Sequence, residues 1–140
     1  MFQKIKSSWL RWKRERRTRQ IIADAGGIPN TLAETYPALE KIFKEEGLAK
    51  IRAGTEDDIG HLHFGLGMFL RNNWGLWSGG PLADWFNKHG IRHADDMSGI
   101  ILTSFHRQLT GKPIKLEEQV KHYRGYWIKQ GVDPDTMEKK

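Results

Sequence analysis

Cysteine is absent from this 140-residue chain, which excludes disulfides, thiolate metal ligands and a cysteine nucleophile. Long apolar runs are missing too. Nothing approaches the roughly 18–20 residues of a membrane span, and the N-terminus lacks the continuous apolar stretch of a secretory signal. Both absences lead to the expectation of a cytoplasmic location. No two alternating runs flank a hairpin turn, and no repeat or low-complexity segment occurs. No nucleophile elbow, Ser–His–acid arrangement or phosphate-cradling glycine loop is recognisable.

What is present is an uneven charge distribution. Residues 1–25 hold eight cations, Lys4, Lys6, Arg11, Lys13, Arg14, Arg16, Arg17 and Arg19, against Glu15 and Asp24. This segment therefore carries the entire formal net charge of +6, and the remaining residues balance to zero. Such an imbalance bears on partners and solubility rather than on fold. Phe2, Ile5, Trp9 and Trp12 fall within about 80° of one another on a helical wheel, an apolar stripe among cations. Between Arg14 and Arg19 the stripe disappears and charge points in every direction. Gly26 and Gly27 should end this helix.

The rest of the chain reads as helices separated by Gly and Pro, and 140 residues suffice for one core. Thr31 and Glu34 have capping-box spacing, but Pro37 would remove a backbone bond inside a helix, so residues 31–46 are expected to form a turn and then a helix. Leu39, Ile42 and Phe43 are its expected buried face. Thr55 and Asp58 open a central helix expected over 56–72, with Ile59, Leu62, Leu66, Phe69 and Leu70 on one face and Phe64 and Met68 opposite. That arrangement implies burial on two sides. Gly60, Gly65 and Gly67 imply close approach of neighbouring backbone. Leu82, Trp85, Phe86 and His89 give a short helix after Pro81, with His89 at its terminus. Asp95 and Asp96 stand at the start of a helix buried through Met97, Ile100, Ile101, Phe105 and Leu109, and Leu116, Val120, Tyr123 and Trp127 define the last one. The expected architecture is all-α, a compact bundle of five to six short helices with a basic amphipathic N-terminal helix. Its divisions are an arm over 1–25, a domain over 28–131 and a polar tail over 132–140.

The segment HLHFGLGMFLRNNWGLW (61–77), with GIRHADDMSGIILTSFHRQLTGK (90–112) and IKLEEQVKHYRGYW (114–127), resembles a small bacterial domain family of unknown function. Its members carry an LHFGLGxWxRNNxxLW block followed by HPDDxSGxIL. The likeness spans roughly 28–128, with Phe69 where Trp is frequent and Ala94 where Pro is frequent. It implies an all-helical domain and a bacterial or phage source, and it brings no activity. The arm lies outside it.

Candidate site residues follow from chemistry. Trp74 and Trp77, beside Arg71, form either a binding hot spot or the closed end of the bundle, the second being the more ordinary fate of large aromatics. Arg71, Asn72 and Asn73 either fork onto a carboxylate or phosphate or cap the central helix. His61 and His63, two apart on a helix, cannot share a metal ion, and no second ligand motif accompanies them. His63 alone reads more simply as a core histidine. An enzyme site would have to assemble in space, its pieces being His63, Arg71, His93, Asp95 and Asp96. Neither a cofactor nor a metal is expected. In the arm, Lys13, Arg14, Arg16, Arg17 and Arg19 suit phosphates or an acidic partner, and Phe2, Ile5, Trp9 and Trp12 suit a protein groove or a membrane surface. A stripe that packs back on its own domain is the competing structural reading.

The leading expectation is a nonenzymatic interaction protein that binds a macromolecular partner, foremost a protein, through the arm or the Arg71–Trp77 helix exit. A toxin-neutralising or phage accessory role suits its size. Sequence-nonspecific nucleic-acid binding by the arm is the first alternative, peripheral membrane contact through residues 2–12 is a further one, and a small hydrolase or metalloenzyme stands behind both. The sequence leaves the oligomeric state open.

Overall fold

A computed structural model describes the backbone of residues 2–140 and the side chains from residue 7 onward. Lys4, Lys6 and the first two stripe residues, Phe2 and Ile5, thus have side chains outside the described residues. The first helix, α1, runs Phe2–Asp24. It ends at the expected glycine pair: Gly26 and Gly27 take φ of 98° and 90°, and the Gly27 N–H reaches back to the Ile22 carbonyl at 2.9 Å. Positive φ at both positions turns the chain without the strain a Cβ would bring.

Helix α2 spans Leu32–Ala53, opening on Thr31, whose side chain accepts the Glu34 N–H. The box closes one residue early, since the Glu34 carboxylate accepts from the Asn30 N–H at 2.7 Å. Pro37 sits inside this helix, contrary to the expectation of a turn there. Ala33, whose carbonyl loses its partner four residues on, and Pro37 itself are both exposed, so water can satisfy that carbonyl. The interruption comes later, at Lys44, with φ 58° and ψ 173°, and a second helical segment then continues beyond the expected end at 46.

The central segment departs from expectation. Instead of one helix over 56–72, α3 (Glu56–Gly60) leads through a 3₁₀ turn at His61–His63 into α4 (Leu66–Asn73). Thr55 and Asp58 do form a full capping box. The break falls between Gly60 and Gly65, which weaken the helix, and it turns the His63 carbonyl toward the Arg71 guanidinium at 3.2 Å. Nor is this segment buried on two sides: Phe64 is 78% and Met68 49% exposed. The expected backbone approach at three glycines is also absent. Gly60 and Gly65 face open space, and at Gly67 the neighbour is the Arg71 side chain.

Helices α5 (Pro81–Lys88), α6 (Ala94–Leu109) and α7 (Leu116–Lys129) complete the set. Helix α6 is the axis of the bundle, in contact with α2, α3, α4, α5 and α7. Its Met97, Ile100, Ile101 and Phe105 are fully buried among Leu39, Leu70, Leu82 and Phe86, and Phe43 stacks on Phe105. Small residues let neighbours close in from other sides: at Gly99 a Cβ would collide with the Tyr123 hydroxyl. After α7 the polar tail folds back. Lys140 donates to the Gly131 carbonyl, Asp135 pairs with Arg124 at 2.9 Å, and Pro134 is buried.

Candidate functional site

Four elements converge at the N-terminus of α6. His93 is its N-cap, with Nδ1 accepting the Asp95 N–H at 3.1 Å, a role that requires the tautomer protonated at Nε2. Asp95, Asp96 and Ser98 occupy its first turns. Arg71 enters from the last turn of α4, where Gly67, one turn earlier, leaves the space its guanidinium fills. The 3₁₀ turn brings His63, and α7 brings Trp127.

Arg71 is the hub. It is 5% exposed, and its nitrogens are engaged within the protein: Nε lies 3.3 Å from Asp95 Oδ1, Nη1 donates to Ser98 Oγ at 2.9 Å and lies 3.5 Å from His63 Nδ1, and Nη2 donates to the His63 carbonyl. The Ser98 hydroxyl in turn donates a hydrogen bond to the Asp95 carbonyl at 3.0 Å. A buried cation needs such a full set of partners. The internal contacts of Arg71, Asn72 and Asn73 bear on the two readings of them, an anion fork or a cap on the helix end. Asn73 donates to the Phe69 carbonyl at 2.9 Å and so serves the helix end, Asn72 is exposed, and Arg71 points inward.

Asp96 is 7% exposed and accepts the Trp127 indole N–H at 2.7 Å. Burial pushes its carboxyl above the usual carboxylate range and neighbouring Asp95 adds to this, while the Trp127 hydrogen bond pulls the other way. Burial also raises the Tyr123 phenol, and the Asp96 charge reinforces the shift. Outside this polar layer the rings form a ledge. His93 lies 5.4 Å from Trp77, edge to face, and 5.3 Å from Trp127.

Trp74 and Trp77 part company. Trp74 is 1% exposed and closes the core, its Nε1 without a partner, whereas Trp77 is 57% exposed. Gly75, with φ 73°, turns the chain between them, so they are not a pair. His63, Arg71, His93, Asp95 and Asp96 do come together around the α4–α6 contact. Reasoning from sequence missed Ser98 and the site role of Trp127. Ser98 was within reach, three residues after Asp95 on the same helix face. Trp127 was not, because 31 residues separate it from Asp96.

Helix α1 presents a different surface. Of residues 7–25, only Thr18, Ile22 and Ala25 are not exposed, and Thr18 lines a recess of about 290 Å³ with Arg14, Glu15, Arg19 and Asn73. Trp9, Leu10 and Trp12 are each about half exposed. Lys13 Nζ lies 4.6 Å above the Trp9 ring and the Arg16 guanidinium 5.4 Å above that of Trp12. Among the described residues, no arm cation pairs with a carboxylate.

A family model described as "Domain of unknown function (DUF6794)" matches residues 28–109, more than half of the chain. The chain belongs to that family. The matched DUF6794 region begins after α1 and ends with α6, so it contains His63, Arg71, Trp77, His93, Asp95 and Asp96 and leaves out both the basic helix and Trp127. No curated protein and no solved structure matches the chain. Among the described residues of this DUF6794 protein, no three His, Asp or Glu side chains are grouped to hold a metal ion, and no helix is long and apolar enough to cross a membrane.

Proposed function

We propose that the protein is a nonenzymatic, cytoplasmic interaction protein that holds a macromolecular partner through α1, with the Trp77–His93–Trp127 ledge as a second contact. One observation carries the reading: two half-exposed tryptophans and a run of cations without acidic partners lie on a helix whose residues 7–17 are all exposed. Large aromatics beside Arg are the usual anchors of binding surfaces, and unpaired charge steers association. The polar cluster supports the same conclusion from the other side. Arg71 spends its donors on Asp95, Ser98 and His63, and the Asp96 carboxylate is turned to Trp127, as in a clamp between helices.

Nucleic acid is the second reading, favoured by the exposure of Lys13, Arg14, Arg16, Arg17 and Arg19 on all sides of the helix. If six phosphates of a duplex were neutralised, the logarithmic salt slope would be about −5.

The test is retention of partners from lysate, with and without nuclease, on four immobilised full-length proteins: the native chain, W9S/W12S, R14Q/R16Q/R17Q/R19Q and W77S. Loss of a retained macromolecule in either α1 variant supports the reading, and nuclease sensitivity of that loss selects the second one. An identical retained set on all four, the lysate's membrane vesicles included, overturns both.

A further inference from the structure

The direction in which the stripe faces narrows the partner. The side of α1 that is not exposed carries Thr18 and Ile22, with Ala25 just past its end, and the helix meets the domain at α2. At about 100° per residue, Trp9 lies about 180° from Thr18 and about 140° from Ile22, while Trp12 lies about 120° from Thr18 and about 80° from Ile22. The two tryptophans are therefore centred about 150° from Thr18, with Trp9 opposite the unexposed side of α1 and Trp12 on its flank. Packing the stripe back on that domain would require α1 to roll about its axis and turn out its unexposed side. A stripe so placed lies open to a flat surface.

We propose that this surface is an anionic phospholipid bilayer, with Trp9 and Trp12 at the acyl boundary and the surrounding cations at the level of the phosphates. The proposal rests on the reading of α1 as the partner-binding helix and names its partner. Three features favour lipid. Charge is complementary, since the helix is basic and the rest of the chain neutral. The apolar and cationic halves follow one another, Trp9, Leu10 and Trp12 first and the Arg14–Arg19 run after, so each half supplies one of the two signals that stable peripheral binding needs. Finally, Lys13 and Arg16 each lie over one face of the Trp9 and Trp12 rings, which leaves a base only the other face of each for stacking. At a bilayer the same pairing sets an amphipathic ring at headgroup depth and leaves its cation to the phosphates.

The experiment uses the full chain and vesicles of phosphatidylcholine with or without phosphatidylglycerol, read by co-sedimentation and by quenching of tryptophan emission with brominated acyl chains. The protein should sediment with anionic vesicles and not with neutral ones. W9S/W12S should weaken this by more than about tenfold, because a helix with only one of the two signals binds marginally. Each neutralised arginine in R14Q/R17Q should weaken it by about fivefold, the factor for roughly 1 kcal/mol per cation near an anionic surface. All substituted side chains are exposed, so thermal unfolding should be unchanged and binding loss cannot be ascribed to misfolding. Absence from anionic vesicles, or binding that ignores W9S/W12S, overturns the lipid assignment. If vesicles fail while a DNA duplex or an acidic protein is bound and then lost in the α1 variants, the lipid assignment falls and α1 stands as the binding helix. If the α1 variants alter binding to none of these, both fall.

Discussion

Adding a single methyl group at Gly67 should destabilise the protein, although the position is helical. In an ordinary helix interior Gly→Ala stabilises by about 1 kcal/mol, through the cost that glycine carries in backbone freedom. Here the new Cβ would lie 2.8 Å from Arg71 Nη1. The guanidinium would have to swing aside, and Nη1 is the nitrogen bound to Ser98 at 2.9 Å. A buried hydrogen bond from a charged group is worth about 1.5–3 kcal/mol. Subtracting the helix gain leaves G67A less stable by about 1 kcal/mol. In an R71M background the conflict is removed, because the shorter methionine does not reach the guanidinium position. G67A should then stabilise by about 1 kcal/mol, so the substitution changes sign and the coupling between the sites is about 2 kcal/mol. Urea unfolding of the native chain, G67A, R71M and the double variant at pH 7 measures all four corners. A stabilising G67A in the native background, or equal effects in both, would refute the view that Gly67 exists to admit Arg71.

Other substitutions probe neighbouring contacts. At pH 7, D96N should be at least as stable as the native chain, since the amide oxygen can still accept from Trp127 while a buried charge is removed; D96A should cost about 1–3 kcal/mol by leaving the indole N–H unpaired. The raised Asp96 pKa favours the folded state while the carboxyl is protonated, and this contribution fades as pH rises through the folded value, so the advantage of D96N should shrink on acidification in urea titrations at pH 7 and pH 4. Glu56 behaves oppositely. Its carboxyl is held below the usual range first by its hydrogen bond from Arg107, with burial opposing. The stability it adds is present above the ordinary glutamate pKa and lost as pH falls through the lowered one, so thermal melts of E56Q should show a flatter acid limb than the native chain. G99A should be destabilised by about 1–3 kcal/mol because its Cβ meets the Tyr123 hydroxyl, and Y123F should recover part of the loss in chemical denaturation.

Much of the local structure was legible because it depends on neighbours in the chain. The Thr55–Asp58 box, the Gly26–Gly27 stop and the buried face of α6 each follow from residues within a turn or two of one another. The errors occurred where distant groups intervene. Periodicity treats 56–72 as one helix, but Arg71 draws the His63 carbonyl out of line and two glycines make the break inexpensive. Pro37 reads as a helix breaker, yet Ala33, whose carbonyl it orphans, is an exposed residue. His63, Arg71, His93, Asp95 and Asp96 were identifiable as chemistry-bearing residues. Their use as a clamp, with Ser98 and Trp127 as its remaining members, was not.

By itself the sequence determined an all-helical chain, membership of a family, and the confinement of net charge to one helix, since composition, spacing and capping are properties of the linear order. Only the tertiary structure decided which polar residues look inward and which aromatics look outward. Arg71 is buried because Asp95, Ser98 and His63 meet it there, Trp74 and Trp77 separate because Gly75 turns the chain, and Trp9 and Trp12 stay half exposed because the unexposed side of α1 carries Thr18 and Ile22 instead. A side chain's environment is set by the elements packed against it, and those come from elsewhere in the chain.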